Sequence, residues 1–284
     1  MTLATNTKIG IARKLGRLAR GWQTLCGHDP SRIEARRRGI EWVLDLNEGI
    51  DLAIYVMGAF EPETIRAYRR LLRPGGVAVD IGANMGAHTL HLARSVSEGG
   101  RVIAFEPAAA AYVRLCRNLD ANPALRSPVT ALQVMLSKDD RSTPQPEIYA
   151  SWPLGQSANA HPDHSGVAVS TEGAVAMSLD TALHDNVVAR VDLIKIDVDG
   201  FEMEVLDGAT NTLEAARPAI VMELAPYTLE ERGEAPDAPA DMLARLGYEF
   251  SDLSGRPIAD IRARIAGLPK GHSVNVVAKS RSAT

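Results

Sequence analysis

Carboxylates recur in this 284-residue chain where short apolar runs end, and one of those runs also carries a lysine. Leu193-Ile194-Lys195-Ile196-Asp197-Val198-Asp199 reads as a buried strand, where an ammonium is costly unless paired. Asp197, two residues on and on the same face, is its natural partner. Such a pair either shapes a reactive site or closes the sheet as a structural ion pair. Glu223 ends a second run, Val221-Met222-Glu223-Leu224, and a carboxylate there suits general-base work on a hydroxyl. Asp197, Asp199 and Glu223 at adjacent strand ends also offer oxygen donors for Mg²⁺, although such clusters serve for hydrogen bonding alone, and the metal is not the favoured reading. Glu202 opens the following helix, where a carboxylate ordinarily answers the positive dipole end.

A second constellation is Val77-Ala78-Val79-Asp80-Ile81-Gly82-Ala83-Asn84-Met85-Gly86. A buried strand runs into a tight turn whose glycines permit close approach of a ligand to the backbone. In an open α/β sheet this crevice, outside the carboxyl ends of the strands, is where nucleotides bind. Glu106 ends the next run, where a carboxylate can accept both ribose hydroxyls of an adenosine. The dinucleotide fingerprint would place a second glycine where Asn84 stands, which disfavours a pyrophosphate. A ligand with an amino-acid tail would instead use Asn84, with the Asp80 carboxylate for its ammonium group. That points to S-adenosylmethionine.

The elements that must position these residues alternate along the chain. Strands are predicted at 77–81, 101–105, 131–136, 193–198 and 219–224, with helices at 86–97, 107–121 and 201–215 between them. The runs are near-continuously apolar, as parallel strands covered on both faces are. The alternation predicts an α/β, Rossmann-like, doubly wound sheet with right-handed crossovers. Helices near 237–246 and 258–266, with strands at 248–253 and 273–278, add an antiparallel pair closing one edge. Upstream, Asn47-Glu48-Gly49 is a turn signal that suggests a hairpin over 40–58, followed by a helix over 61–72. Residues 141–176 are rich in Pro, Ser, Gly, His and Ala, and read as a lid-like insert. Within it, Tyr149 and Trp152 have the aromatic faces that stack on a sugar ring. His161-Pro162-Asp163-His164 lacks further zinc ligands and reads as a solvated loop. His88 and His91 read as helix-surface residues, and His272 has no assigned role.

Hydrophobic residues make up 45% of the chain and charged residues 23%, which excludes disordered, collagen-like and coiled-coil classes. No apolar run is long enough to span a membrane. Two cysteines, Cys26 and Cys116, fit a reducing, cytoplasmic compartment, and the net charge of −4 argues against general nucleic-acid binding. Residues 1–38 nevertheless carry nine Lys or Arg against Asp29 and Glu34, a net of +7. Apolar residues recur there at helical spacing, with Trp22 among them. This basic amphipathic extension either docks on its own domain or a second subunit, or touches a membrane surface through residues 8–25. Arg and Lys interrupt every apolar stretch in it, which argues against a cleaved secretory signal.

The motifs together resemble those of class I S-adenosylmethionine-dependent methyltransferases, and within that class the FkbM family. The resemblance is carried by Val79 through Gly86, Ala104-Phe105-Glu106-Pro107, Ser178-Leu179-Asp180-Thr181-Ala182-Leu183, the stretch LIKIDVDGFE over 193–202, Val205-Leu206-Asp207-Gly208-Ala209, and residues 218–223. It implies an O-methyltransferase and a seven-stranded sheet with an antiparallel last strand. The expected cofactor set is Asp80, Gly82, Ala83, Asn84, Gly86, Glu106, Pro107, Ser137 and Asp197, and the expected catalytic set is Lys195, Asp197 and Glu223. The expected acceptor is a small-molecule or glycan hydroxyl, with no nucleic-acid partner and a homodimer left open. Asp199 stands where the family usually has Glu, and neither 141–176 nor the basic extension is a family hallmark. The methyltransferase domain is accordingly expected over 39–284, behind a helical extension at 1–38. Two other readings compete: a nicotinamide-dependent oxidoreductase, favoured by Glu106 and opposed by Asn84, and a non-catalytic binding protein, opposed by intact Asp80, Gly82, Glu106 and Asp197.

Overall fold

The computed structural model describes residues 5–97, 99–155 and 166–280, with side chains from Lys14 onward except those of Ala150 and Ser151. The motif His161-Pro162-Asp163-His164 lies outside the described residues.

The chain opens with α1 (Thr5–Leu25), then the antiparallel strands β1 (Ile33–Arg37) and β2 (Ile40–Leu44). Their turn is Arg38-Gly39, with φ 49° and 73°, the left-handed pair that matches strand twist in two-residue hairpins. The hairpin therefore crosses residue 38 and is not the one expected over 40–58. Asn47-Glu48-Gly49 is a turn, but it leads into α2 (Gly49–Met57), whose Leu52 and Ile54 are buried. Next come α3 (Pro62–Leu71), β3 (Val77–Ile81), α4 (Thr89–Val96), β4 (Arg101–Phe105), α5 (Ala109–Asp120), α6 (Pro123–Arg126) and β5 (Val129–Leu132).

The strand expected over 131–136 divides at Gln133. Its amide nitrogen bonds the Glu172 carbonyl at 2.7 Å, drawing the chain away from the sheet. The continuation β6 (Val134–Leu136) opens the insert, which contains the antiparallel ribbon β7 (Glu147–Ser151) and β8 (Val167–Ser170). The insert returns through β9 (Val175–Met177), which pairs in parallel with β6. Then follow α7 (Leu179–Asp185), β10 (Leu193–Ile196), α8 (Glu202–Asp207), α9 (Thr210–Ala215), β11 (Ala219–Leu224), α10 (Pro226–Glu231), α11 (Ala238–Arg245), β12 (Tyr248–Asp252), α12 (Ile261–Ala266) and β13 (Val274–Ser280). The helix expected over 201–215 is thus two. Gly208 lies so close to the Ser137 backbone that no β-carbon fits there, and Asp180 caps α9 by accepting from the Asn211 and Thr212 N–H groups at 2.9 Å.

The main sheet has the order β12-β13-β11-β10-β3-β4-β5. It runs parallel from β5 to β11, while β13 is antiparallel between β11 and β12. The expected fold, a Rossmann-like seven-stranded sheet with an antiparallel last strand, is the one observed. Alternate strand residues feed two separate layers. Ala78, Leu193 and Val221 pack with Trp42, Tyr68, Leu90 and Leu115, while Val79, Ile194 and Ile220 pack with Leu179, Leu206, Leu213 and Leu243. Burial on both faces is why these strands read as unbroken apolar runs, and each large side chain so buried contributes about 1.5–3 kcal/mol. The chain leaves β3 toward β4 and β5, then returns to lay β10 on the other side of β3. That reversal opens a crevice at the carboxyl ends of β3 and β10. Among the described residues no helix is long and apolar enough to cross a membrane.

Candidate active site

A cavity of about 590 Å³ occupies this crevice. Across the sheet its floor is formed by Glu223 near the end of β11, Asp197 after β10, Gly82 after β3, and Glu106 with Pro107 after β4. The β4 side is apolar, with Phe105, Val134, Leu136 and Val205, and the β11 side is acidic, with Asp197, Asp199, Glu223 and Glu61.

Gly82 is required where it stands. Its φ is 75°, and a β-carbon would overlap the Asp197 carbonyl oxygen. The Gly82 and Ala83 N–H groups both donate to the Phe105 carbonyl, at 3.1 and 2.9 Å. Asn84 is left-handed at φ 47°, and its N–H donates to one Glu106 oxygen at 2.7 Å. The other Glu106 oxygen accepts from the Ala108 N–H at 2.8 Å. Glu106 thereby ties two strand-end loops together beneath the cavity, and burial pushes its carboxyl up to about 7. Of the expected cofactor set, Gly82, Ala83, Asn84, Glu106, Pro107 and Asp197 line the cavity. Asp80, Gly86 and Ser137 do not. Gly86 sits in the turn against Leu115, and the Ser137 hydroxyl donates to the Asp139 carbonyl. Asp80 is fully buried below the turn, where it accepts from the Thr89 hydroxyl at 2.6 Å, so the structure does not offer it to a ligand ammonium group.

What Asp80 does instead is face Lys195, whose Nζ lies 3.6 Å from Asp80 and 3.5 Å from Asp197. The ammonium also donates to the Gly82 carbonyl at 2.8 Å and the Ile81 carbonyl at 3.2 Å. Burial alone would lower its pKa, but Asp197, Asp80 and Glu61 outweigh that and hold it above the ordinary value. Lys195 is therefore a fixed cation that anchors the glycine turn, and not a proton acceptor.

Oxygens of Asp197, Asp199 and Glu223 all lie within 4.8 Å of one another. Asp199 is left-handed at φ 48°, and Gly200 after it lies too close to the Thr228 carbonyl for a β-carbon. Burial first, and the Asp197 charge second, push Asp199 and Glu223 well above the usual carboxylate range. Glu223 also accepts from the Ser273 hydroxyl. Crowded, partly buried carboxylates of this kind seek a proton or another cation. Glu202 stands in the first turn of α8, as expected of a charge answering the helix dipole. It is buried beside the trio, accepts from the Gly200 N–H at 3.3 Å, and is pushed by burial up to about 7.

Several lining residues escaped the sequence reading. Glu61, left-handed at φ 44° before Pro62, accepts from Thr64 at 3.0 Å and Asn275 at 2.9 Å, and burial raises its pKa. His88 stands with Nε2 3.6 Å from Glu61, edge-on to Phe60 and Tyr68, and burial depresses its pKa well below 6.5. This corrects the surface reading of His88 and His91. His91 is buried beside Trp42, with its pKa pushed down to about 4. α4 interleaves Leu90, Leu92 and Ala93 with the polar Thr89, His91 and Arg94, so no local pattern marked either histidine as buried. Glu61, Tyr227 and Ser273 come from loops or helix ends with no local motif. Tyr149 and Trp152 do reach the cavity wall, Trp152 held by a 3.1 Å bond between its carbonyl and the Gly49 N–H. His272 lies between the lining residues Gly271 and Ser273.

Residues 80–250 match the model of the methyltransferase FkbM domain. The chain is 30% identical over 164 residues to the hexuronic acid methyltransferase AglP of Haloferax volcanii, a match covering 57% of this chain and 61% of that protein. It is 31% identical over 197 residues to methyltransferase sdnD of Sordaria araneosa, covering 61% and 73%. It is 30% identical over 193 residues to methyltransferase 1 of Beauveria bassiana, covering 58% and 76%.

Proposed function

The chain belongs to the FkbM methyltransferase family, and on that premise we propose that it methylates a hydroxyl of a sugar, glycolipid or natural-product scaffold, using S-adenosylmethionine. The observation that carries this reading is the polarity of the cavity floor. An apolar end beside Glu106 suits an adenosine, and an acidic end of Asp197, Asp199, Glu223 and Glu61 suits a positively charged sulfonium and ammonium. The glycine turn between them lets a ligand lie against backbone. The name of AglP, a hexuronic acid methyltransferase, supports a sugar as acceptor, without saying which of its oxygens takes the methyl group.

Bound S-adenosylmethionine supplies an electrophilic methyl carbon. Glu106 would hold the ribose hydroxyls, with Pro107, Phe105 and Leu136 around the base. Lys195 fixes the Gly82 carbonyl and Asp197, so the floor under the reacting atoms does not shift. Glu223 takes the acceptor's hydroxyl proton as the oxygen attacks, since an alcohol is a poor nucleophile until a base removes that proton. Its raised pKa strengthens it as a base, and the Ser273 hydroxyl orients it. Tyr149 and Trp152 cover the acceptor side and exclude water.

Calorimetric titration with S-adenosylhomocysteine, NAD⁺ and NADP⁺ as parallel ligands tests the cofactor. Binding of S-adenosylhomocysteine alone is expected, and binding of a nicotinamide dinucleotide instead overturns the reading. Labelled methyl transfer onto a panel of hexuronosides and neutral glycosides then tests the acceptor class.

A further inference from the structure

Helix α1 is amphipathic, but it is docked the wrong way round for a helix that covers a core. Its body-facing side is small and polar. Gly16 packs against Leu52 and Leu154, Arg20 donates to the Leu46 carbonyl at 2.9 Å, and Gln23 donates to the Tyr55 hydroxyl at 2.7 Å. Its apolar side faces outward. Leu15, Leu18, Trp22 and Leu25 are exposed by 42, 72, 64 and 85%, and their spacing places them in one stripe. Lys14 and Arg17 are exposed on the same helix. At the end of α2, Val56 and Met57 are also exposed, and Arg37 and Arg38 bond the Tyr55 and Met57 carbonyls there. A contiguous apolar stripe of this kind on a folded chain marks a contact surface.

We infer that α1 rests its outer face on an anionic lipid bilayer, with Leu18, Trp22 and Leu25 dipping into the interface and Lys14 and Arg17 meeting headgroups. Charge selects this occupant. Residues 1–38 carry +7, so an isologous contact with a second copy would press two strongly basic surfaces together, whereas acidic headgroups complement them. An indole suits the headgroup boundary, where its apolar body and its N–H are both satisfied. The arrangement also sets the cavity near the bilayer, because Gly49 and Ile50 of its wall begin the helix on which α1 rests.

The full chain is mixed with phosphatidylcholine vesicles, with or without phosphatidylglycerol, and separated by flotation. Wild-type protein is expected to float with the anionic vesicles, less so at high salt, and to stay behind with the neutral ones. Two double variants alter exposed residues only, Leu18→Ser with Trp22→Ser, and Lys14→Glu with Arg17→Glu. Each should weaken anionic-vesicle binding by about tenfold or more, the first by removing interfacial apolar contact and the second by reversing charge, with an unchanged melting temperature. Absence of wild-type flotation, or variants that float like wild type, would overturn the inference. So would a dimer by light scattering that Leu18→Ser with Trp22→Ser dissolves while vesicle binding is nil, which would make this face a subunit contact.

Discussion

Lys195 and Asp80 occupy directly paired positions in the parallel register of β10 and β3, with ammonium and carboxylate 3.6 Å apart and both side chains almost fully buried. Asp80 opens the glycine-rich motif, yet its work is done underneath the site. One buried cation answers two carboxylates and two carbonyls, so the glycine turn and the acidic end of the cavity share a single support.

Removing that support leaves the buried Asp80 carboxylate with the Thr89 hydroxyl but without its cation. Lys195→Met should destabilise the fold by roughly 3–5 kcal/mol, as loss of one partner from a buried pair does. Lys195→Met with Asp80→Leu should recover much of the loss, since half-exposed Asp197 can reach water. Denaturant titration of both variants checks this, and a single variant within about 1 kcal/mol of wild type would contradict the pairing.

Glu106→Gln keeps the shape but loses the charge that accepts from Asn84, Ala108 and, in the proposed reading, the ribose. Affinity for S-adenosylhomocysteine should fall by about ten- to a hundredfold. Calorimetry reads this directly, and an undiminished affinity removes the ribose assignment.

Glu202 gives a pH signature of stability. Its folded pKa of about 7 lies above its ordinary 4.5 because burial penalises the charged form. Its contribution is therefore complete below 4.5 and is lost as pH rises toward 7. Glu202→Gln carries no such penalty, so relative to wild type it should gain about 2–3 kcal/mol between pH 4.5 and about pH 8. Denaturation at the two pH values measures the gain, and parallel wild-type and variant curves would refute it.

Glu223→Gln should lower kcat by about 10²- to 10⁴-fold, the usual worth of a general base, while cofactor affinity changes only a few-fold. In the wild type kcat should climb with pH as this raised carboxylate ionises. A variant with full turnover would move the base elsewhere, with Asp197 next in line.

The acidic trio does not by itself require a metal in this scheme, because Lys195 already neutralises part of its charge. Methyl transfer should survive dialysis against EDTA. Activity lost there and restored by Mg²⁺ would make Asp197, Asp199 and Glu223 an oxygen-donor metal centre.

The glycine turn, Glu106, Asp197 and Glu223 were legible in the sequence because each obeys a local rule, a small residue or a carboxylate at the end of an apolar run. The partnership of Lys195 with Asp197 follows the same two-residue logic. Its second partner, Asp80, depends on the register between two strands far apart in the chain, which no local pattern encodes. Glu61 meets Asn275, and Glu223 meets Ser273, across long stretches of sequence for the same reason. His88 and His91 were misread because α4 is covered on its outer side as well, by α3 and by Trp42 of the hairpin. That hairpin was misplaced because Asn47-Glu48-Gly49 is a true turn signal whose sequel is a helix, while the turn at Arg38-Gly39 hides in a run of arginines.

The pairing of β6 with β9 brings the two ends of the insert side by side at the rim of the crevice. Whatever lies between them is already closed at its base, so doubling its length would cost only about 0.6 kcal/mol. The stretch carrying Tyr149 and Trp152 is thus a cassette clipped onto an otherwise self-sufficient sheet. Grafting the corresponding stretch from a relative would exchange the Tyr149 and Trp152 wall of the cavity while leaving Glu106, Gly82 and Asp197 untouched.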